Sequence, residues 1–315
     1  MKTDSFRPGQ LWLDSCGNPI QAHGGGLLYS QGTYYWFGEN KAGQTRPGVL
    51  HGLYRVDVIG INCYSSQDLY HWKLEGIALP AEPDDPTSDL HPSKVVERPK
   101  VIYNSLTQKY VMWMHIDTAD YAYARAGVAI SDNPTGPYHY LGSFRPNGAM
   151  SRDMTLFQEE DGRAYHIFSS EDNRTMHISL LSDDYLIPNG KVMRTFENRF
   201  REAPAICEHQ DKYYLLTSGC TGWDANAAEY AVASSMLGPW NILGNPCRGD
   251  GSEKTFGAQS TFILPVVGKP GKYILMADIW DKHNLSDSRY AWLPIRFEGE
   301  RIVIEWLDEW NLEML

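Results

Sequence analysis

Three carboxylates stand in similar surroundings along the sequence, each beside an arginine and just ahead of a short apolar run: Glu97, Asp153 and Glu202. Gln259 and His23 precede comparable runs. Paired carboxyl groups can perform acid–base chemistry. In inverting glycoside hydrolysis, one acid protonates the leaving oxygen, and a second group about 6.5–9.5 Å away activates a water. The five positions are therefore candidates for one catalytic site, provided that the fold brings them together.

Short β-strands separated by turns are predicted along the whole chain. Runs of Val, Ile, Tyr, Trp and Phe recur between turn residues, and no segment keeps an apolar period of 3.6 residues long enough for a helix. Each of the five positions opens a hairpin. The second strands of these hairpins are predicted at 34–37, 110–114, 164–168, 213–216 and 272–276. A third strand and a closing turn follow each hairpin.

Five such repeats account for residues 1–315, so we predict a single catalytic domain with an all-β fold, a five-bladed β-propeller of four-stranded blades. The first repeat is longest, with its excess in loops at 41–57 and 80–86. Residues 11–13 are expected to pair with the last blade and close the ring. A β-sandwich is the alternative, which the even repeat disfavours. Since the innermost strands of a propeller start at one face of the channel, the five polar side chains would meet in one pocket.

Composition excludes several other classes of protein. The net charge of -11 argues against a nucleic-acid partner, whose phosphates need a basic surface. No 18-residue apolar run is present, so no transmembrane helix is predicted. Residues 1–8 lack the apolar segment of a signal peptide, which indicates either an intracellular protein or one whose leader has been removed. The five cysteines have no C-x-x-C spacing and are interpreted as buried thiols. No His and Asp residues have metal-binding spacing, so neither a metal nor another cofactor is predicted.

Seven short motifs lie in order along the five repeats: AHGGG (22–26), YYWFGE (34–39), ERPK (97–100), SRD (151–153), REAP (201–204), TGWD (221–224) and QS (259–260). Together they resemble glycoside hydrolase family 43, and most closely its exo-β-1,3-galactanase branch. This resemblance implies a five-bladed propeller with inverting chemistry. It also implies an oligo- or polysaccharide substrate, with galactose released from the β-1,3-galactan of arabinogalactan side chains.

The resemblance also implies catalytic roles. Glu202 would be the general acid, and Gln259 would lie opposite it and orient the attacking water. An amide has no ordinary basicity, so Gln259 would hold the water by hydrogen bonds or act through its imidic tautomer. Asp153 would raise the pKa of the acid by like charge, and Glu97 would bind galactose hydroxyls and support the water. Whether Glu97 or Gln259 is the base stays open at this point.

Seven further residues are candidates for substrate binding. Trp223 could stack on the apolar face of galactose, although tryptophan in a propeller commonly packs between blades. Glu39 could bind a terminal hydroxyl, and His23 stands where much of family 43 has an Asp base; a satisfied channel histidine is the alternative for it. The weaker candidates lie in loops at the same predicted face: Tyr121, Tyr123, Asp172 and Thr221.

Two other functions compete with galactan hydrolysis. An α-L-arabinofuranosidase or β-xylosidase of the same family is the first, and the missing acid of the first blade counts against it. A propeller that binds glycans without hydrolysing them is the second, favoured by an amide where a base is expected. Release of galactose from β-1,3-galactan would separate all three.

Overall fold

Turn residues shape the local unit of the fold, the β-hairpin. In the first hairpin, Gln31 and Gly32 have φ angles of 50° and 82°, and a two-residue type I′ turn requires left-handed φ at both positions. This turn joins strand β1 (His23–Ser30) to strand β2 (Thr33–Glu39), and the two strands pair antiparallel. The predicted hairpin therefore forms with the chemistry that its turn indicates.

The structure is a computed structural model that describes residues 4–50 and 52–315. Residues 1–3, part of the stretch interpreted as lacking a signal peptide, and residue 51 lie outside the described residues. The described residues form five blades of four antiparallel strands each, arranged as a propeller, which confirms the predicted fold.

The strands run outward from the channel in each blade. The first blade contains β1, β2, β5 (Gly60–Ser66) and β6 (Lys73–Pro80), with a small hairpin of β3 (Arg46–Pro47) and β4 (Tyr54–Arg55) inserted before β5. The second contains β7 (Val95–Asn104), β8 (Lys109–Asp117), β9 (Arg125–Ser131) and β10 (His139–Phe144). The third contains β11 (Met154–Gln158), β12 (Ala164–Ser170), β13 (Thr175–Leu181) and β14 (Pro188–Thr195).

The last two blades follow the same order. The fourth contains β15 (Arg201–His209), β16 (Lys212–Gly219), β17 (Glu229–Ala233) and β18 (Asn241–Gly244). The fifth contains β20 (Gln259–Pro265), β21 (Tyr273–Ile279), β22 (Arg289–Glu298) and β23 (Arg301–Glu305), with the two-residue strand β19 (Cys247–Arg248) parallel to β23. Within the described chain the helices are short 3₁₀ turns, at Pro146–Gly148, Ser252–Gly257, Leu285–Asp287 and Leu312–Met314. None of the described helices is long and apolar enough to cross a membrane.

Apolar side chains fill the wedges between neighbouring blades. Between the fifth and first blades, the buried indole of Trp36 meets those of Trp72 and Trp292 with ring centroids 5.3 and 4.9 Å apart. Such tilted and edge-on contacts stabilise beyond simple area burial. Much of the aromatic content of the chain is thus used to hold blades together rather than to bind a ligand.

Ring closure differs from the sequence-based expectation. Residues 11–13 do not pair with the last blade; Leu13 instead bridges to Pro19 in a local turn. The Asp14 carboxylate accepts the backbone N–H groups that close this turn, which competes with pairing to a distant strand. Closure is made by Phe6, whose backbone exchanges hydrogen bonds of 2.7 and 3.1 Å with Trp310.

β-Bulges interrupt the inner strands where they meet the channel mouth. The pairing shifts after His23 in β1, Glu97 in β7, Glu202 in β15 and Ser260 in β20. A bulge bends its strand and re-aims a side chain, and bulges are frequent beside active sites. In four of the five blades, the irregular stretch therefore lies where the candidate catalytic residues stand.

Candidate active site

One cavity of about 330 Å³ lies at the channel mouth where the inner strands begin. Glu97, Asp153, Glu202 and Gln259 all line it, although they come from four different blades. The other lining residues are Glu39, Leu50, Leu53, Arg98, His115, Asp120, Tyr121, Arg152, Asn173, Cys220, Gly222, Trp223 and Trp280. The structure therefore brings together the four residues expected to be catalytic.

Arg98 connects three blades beneath the cavity. It is the bulge residue of β7, with a φ of 56°, and its side chain is buried. Its Nη2 donates to Gln259 Oε1 at 2.6 Å and lies 3.0 Å from Asp153 Oδ2, and its Nη1 donates to the carbonyl oxygen of Ser260 at 3.1 Å. Charge-assisted bonds of this kind are short and directional. The guanidinium thus fixes Asp153 and Gln259 relative to each other.

Glu202 lies in surroundings that favour its protonated form. Burial and the negative charge of Asp153 raise the pKa of Glu202 to about 8, against the opposing effect of Arg98. Its Oε1 accepts from Gln259 Nε2 at 3.0 Å, and its Oε2 accepts from Asn173 Nδ2 at 3.3 Å. At neutral pH, Glu202 is therefore a carboxylic acid that can donate a proton.

Glu97 shows the opposite behaviour. Burial alone would raise the pKa of Glu97, but the bond to His115 and the positive charges of Lys41, His115 and Arg98 lower it to about 2. Tyr121 also donates its hydroxyl to Glu97 Oε1 at 3.0 Å. Two carboxyl groups in one cavity whose pKa values are driven apart can divide the acid and base roles between them.

Gln259 lies beside Glu202 rather than opposite it, which differs from the expectation. All of its hydrogen-bonding positions are used: Nε2 donates to Glu202 and to Ser218 Oγ at 3.1 Å, and Oε1 accepts from Arg98 and from Trp280 Nε1 at 2.9 Å. Arg98 and Trp280 can only donate, so they identify the amide oxygen and oppose an imidic tautomer, which would need O–H there. The hydrogen-bond partners of Gln259 thus stabilise its ordinary amide form.

Glu39 accounts for the missing acid of the first blade. Its Oε1 accepts from the backbone N–H of Arg98 at 3.0 Å, and its Oε2 lies 2.7 Å from Lys41 Nζ. Gly24, in the bulge of β1, has a φ of 58°, and a Cβ placed there would overlap the Glu39 carboxylate. The carboxylate of the second strand therefore fills the space that a side chain on the first strand would need.

Four of the expected substrate-binding residues are not on the cavity wall. His23 is fully buried, with Nδ1 3.0 Å from Asp278 Oδ1 and its ring stacked on Tyr290, so it is a satisfied channel histidine. The other three lie in loops whose turns direct their side chains to partners elsewhere. Tyr123 packs on the guanidinium of Arg125, Asp172 accepts from Arg152 at the exposed rim, and Thr221 bonds within its own loop to Asp224 and Asn226.

Trp223 does line the cavity, and its position is fixed. Its Nε1 donates to the carbonyl oxygen of Tyr54 in the small hairpin of the first blade at 2.8 Å. Its ring meets Trp280 edge-on with centroids 4.8 Å apart. An aromatic face held in this way can serve as a platform for the apolar face of a sugar.

Sequence reasoning missed His115, Asn173 and Trp280. His115 lies near the end of β8 and Trp280 directly after β21, so both stand where the second strand of a blade returns to the channel mouth. Glu39 ends β2 in the same way, and that shared position is a signal that could have identified them. The expectation of buried thiols is wrong for two residues: Cys220 lines the cavity and Cys16 is exposed.

A cation would fit this site poorly. Glu97, His115 and Asp153 bring one potential ligand atom each within 4.8 Å of one another. However, the nitrogens of His115 already face Glu97 and Asp117, and the guanidinium of Arg98 neutralises Asp153. A cation would have to displace these partners, so we assign no metal ligands here.

Comparison with known proteins shows similarity to one family of enzymes. Residues 20–247 match the model of glycosyl hydrolases family 43. A family 43 β-1,3-galactosidase solved with galactodeoxynojirimycin is 43% identical, with 98% of this chain and 100% of that chain covered and a TM-score of 0.91. No curated protein sequence gives a significant match.

Two exo-β-1,3-galactanases are also similar. The enzyme of Phanerochaete chrysosporium, solved with galactose, is 36% identical over 98% of this chain and 68% of its own, with a TM-score of 0.88. That of Clostridium thermocellum is 34% identical over 98% of this chain and 66% of its own, with a TM-score of 0.85. The chain thus spans about two thirds of the length of these two relatives.

Proposed function

Because the chain belongs to family 43 of the glycosyl hydrolases, we propose that it is an inverting exo-β-1,3-galactosidase, with the propeller as its catalytic domain. The substrate is a β-1,3-linked galactan, such as the side chains of arabinogalactan. Relatives that are 43% and 36% identical are a β-1,3-galactosidase and an exo-β-1,3-galactanase, respectively.

The observation that carries the proposal is the contrast between the two carboxyl groups of one cavity. At neutral pH, Glu202 is protonated and Glu97 is ionised. Inverting hydrolysis needs these two states at the same moment, an acid for the leaving oxygen and a base for the water. A site that only bound glycans would gain nothing from keeping one buried acid protonated and another charged.

In the proposed reaction, galactose enters the cavity with its apolar face on Trp223. Glu39, Tyr121 and Asn173 line the cavity and offer hydrogen bonds to its hydroxyls. Gln259 and Asn173 each donate to one oxygen of Glu202 and hold its carboxyl group in place. Glu202 passes its proton to the glycosidic oxygen as the bond to the leaving sugar breaks.

The attacking water loses its proton to Glu97. Glu97 and Asp153 are both negatively charged groups of the cavity. We assign the base to Glu97, because Asp153 is paired with Arg98 and both acceptor positions of Gln259 Oε1 are occupied by N–H donors. Gln259 then positions the acid, and Asp153 raises the pKa of Glu202. Of the two alternatives that the sequence leaves open, the proposal therefore takes Glu97 as the base.

The test is hydrolysis of β-1,3-galactobiose and β-1,3-galactan, followed by proton NMR to identify the first anomer released. We expect galactose as its α-anomer, because inversion of a β-glycoside gives the α-product. Nitrophenyl α-L-arabinofuranoside and β-xyloside serve as comparison substrates. Faster cleavage of either of these would favour the other activities of the family, and glycan binding without hydrolysis would refute the enzymatic proposal.

A further inference from the structure

We propose that Asp117 and His115 are positioning residues that clamp Glu97 in one orientation and hold it in its ionised form. The inference rests on the proposed function, in which Glu97 is the base. It concerns a cluster that begins at the cavity wall and continues into the second blade, where strand β8 carries none of the residues predicted from the sequence. Three side chains lie in a row there: Asp117, His115 and Glu97.

The row follows from strand pairing. His115 lies opposite Glu97 in the register of β8 with β7, and Asp117 is two residues further along β8, so both β8 side chains point to the same face. His115 Nδ1 is 3.4 Å from Glu97 Oε2, and its Nε2 is 2.9 Å from Asp117 Oδ2. Both β8 side chains are buried, at 1% and 0% exposure. One imidazole thus separates two carboxylates.

Asp117 also holds Glu97 from its other side. Its second oxygen, Oδ1, accepts the backbone N–H groups of Thr118, Tyr123 and Ala124 at 2.8–2.9 Å, which closes the loop after β8. That loop carries Tyr121, whose hydroxyl donates to Glu97 Oε1. Asp117 therefore acts on Oε2 of Glu97 through His115, and on Oε1 through the loop.

The charges favour an imidazolium between the two acids. Two buried carboxylates without a cation would each cost desolvation free energy and repel each other. Burial alone would lower the pKa of His115, but its bonds to Asp117 and Glu97 raise it to about 9. His115 is therefore charged across the neutral range.

Other charged groups around Glu97 are balanced in pairs. Lys41 is paired with Glu39, and Arg98 with Asp153. Arg55, which also acts on Glu97, is paired with Asp57, while the nearby acid Glu202 and Tyr121 are both neutral near pH 7. The imidazolium of His115 is thus the cation in direct contact with Glu97.

Replacement of His115 by Gln tests the inference through the pH profile. In the wild type, kcat/KM on β-1,3-galactobiose should be flat from pH 4 to 7 and fall above pH 8 as Glu202 ionises. Without the imidazolium, the pKa of buried Glu97 should rise to about 5–6. Activity of His115→Gln at pH 5 should then be reduced about two- to ten-fold relative to pH 7, with the alkaline limb unchanged.

Asp117→Asn removes the charge but keeps most of the geometry. Asn Oδ1 can still accept the three backbone N–H groups, and its Nδ2 can donate to Nε2 of a neutral His115 whose Nδ1–H faces Glu97. We expect a smaller shift of the acid limb in the same direction. His177→Gln is the matched control, since His177 contacts Glu171 at 3.1 Å in the third blade, away from the cavity. Its profile should stay like that of the wild type.

A second measurement is independent of turnover. Carboxyl ¹³C NMR of glutamate-labelled protein, with Glu97 assigned from Glu97→Gln, reports ionisation of Glu97 directly. We expect no titration of Glu97 between pH 4 and 8 in the wild type, and a titration within that range in His115→Gln and Asp117→Asn. An unshifted Glu97 in Asp117→Asn, or variants with uniformly reduced activity and an unchanged pH profile, would overturn the inference. Absence of galactose release by the wild type would refute the proposed function alone, because the NMR titration does not need substrate.

Discussion

The side-chain amide of Gln259 donates to Oε1 of Glu202 across 3.0 Å. Because Gln259 Oε1 in turn accepts from Arg98 and Trp280, the amide cannot rotate without breaking both bonds, of which the one from Arg98 is charge-assisted. Asn173 donates to the other oxygen of Glu202 at 3.3 Å. The two amides therefore hold the acid in one orientation toward a leaving group.

Glu202→Gln should reduce kcat on β-1,3-galactobiose by two orders of magnitude or more, the usual contribution of a general acid. The variant keeps the shape of the side chain but has no acidic proton. On nitrophenyl β-galactoside, kcat should be reduced much less, because nitrophenolate leaves without protonation. Steady-state kinetics on both substrates tests this, and wild-type-like turnover of the disaccharide would exclude Glu202 from the role.

Asp153→Asn should move the alkaline limb of the pH profile to lower pH. The negative charge of Asp153 raises the pKa of Glu202, which is about 8, so its removal lowers that pKa and the acid is lost earlier as pH rises. Asn can still accept from Arg98 and from the backbone of Ala203. The kcat profile between pH 6 and 9 measures the shift. Asp172→Asn, at the exposed rim, is the control, and an equal shift in both variants would contradict the assigned cause.

Gly24→Ala should both destabilise the protein and weaken substrate binding. A methyl group there meets the Glu39 carboxylate, and the alanine must also keep a left-handed φ. Together these two effects should lower the free energy of unfolding by about 1–3 kcal/mol. Gly17→Ala is the matched control: its φ is 84°, but no atom lies within 4 Å of the added Cβ. In urea unfolding, both variants should lose stability through backbone strain. KM should be raised in Gly24→Ala and unchanged in Gly17→Ala. Equal effects of the two substitutions would argue against a role for Glu39 in binding.

Trp223→Ala should raise KM roughly five-fold, which corresponds to about 1 kcal/mol for a lost aromatic contact. Trp223→Phe keeps a ring but loses the bond to the carbonyl of Tyr54, so it should lie between the wild type and Trp223→Ala. Trp306→Phe changes an indole that does not line the cavity and should leave KM unchanged. A KM in Trp223→Ala equal to that of the wild type would restrict Trp223 to packing.

The propeller and the four catalytic candidates could be predicted from sequence because both depend on local order. Turn residues define the hairpins, and Glu97, Asp153, Glu202 and Gln259 share one position relative to them. His23 shares that position as well, yet Asp278 draws its side chain into the protein interior. Partners from other blades are not encoded near the residue that they bind.

The same limit explains the orientation of Gln259. Its amide is turned by Arg98, which is 161 residues away in sequence, and no local pattern indicates that contact. Trp280 and His115 stand at the ends of second strands, as Glu39 does, but neither belongs to one of the seven motifs, so neither was predicted. Strand order can predict which residues reach the channel mouth, but hydrogen bonds between blades decide what each one does there.

The last prediction separates Glu97 from Gln259 as the base. If Glu97 takes the proton from water, Glu97→Ala should reduce kcat by at least two orders of magnitude, and added azide should restore turnover by attacking in place of the activated water. The product would be α-galactosyl azide, identified by NMR. Gln259→Ala should reduce kcat less and should not respond to azide, since Glu97 remains to activate water.

The pH profile of the Gln259 variants gives a second readout. In Gln259→Ala, loss of the Nε2–H donor from the Glu202 carboxylate should raise the pKa of Glu202 and move the alkaline limb to higher pH. Gln259→Glu should move it the same way, because a second carboxylate then faces Glu202. Azide rescue of Gln259→Ala, with Glu97→Ala unresponsive, would reverse the assignment and make Gln259 the residue that activates water.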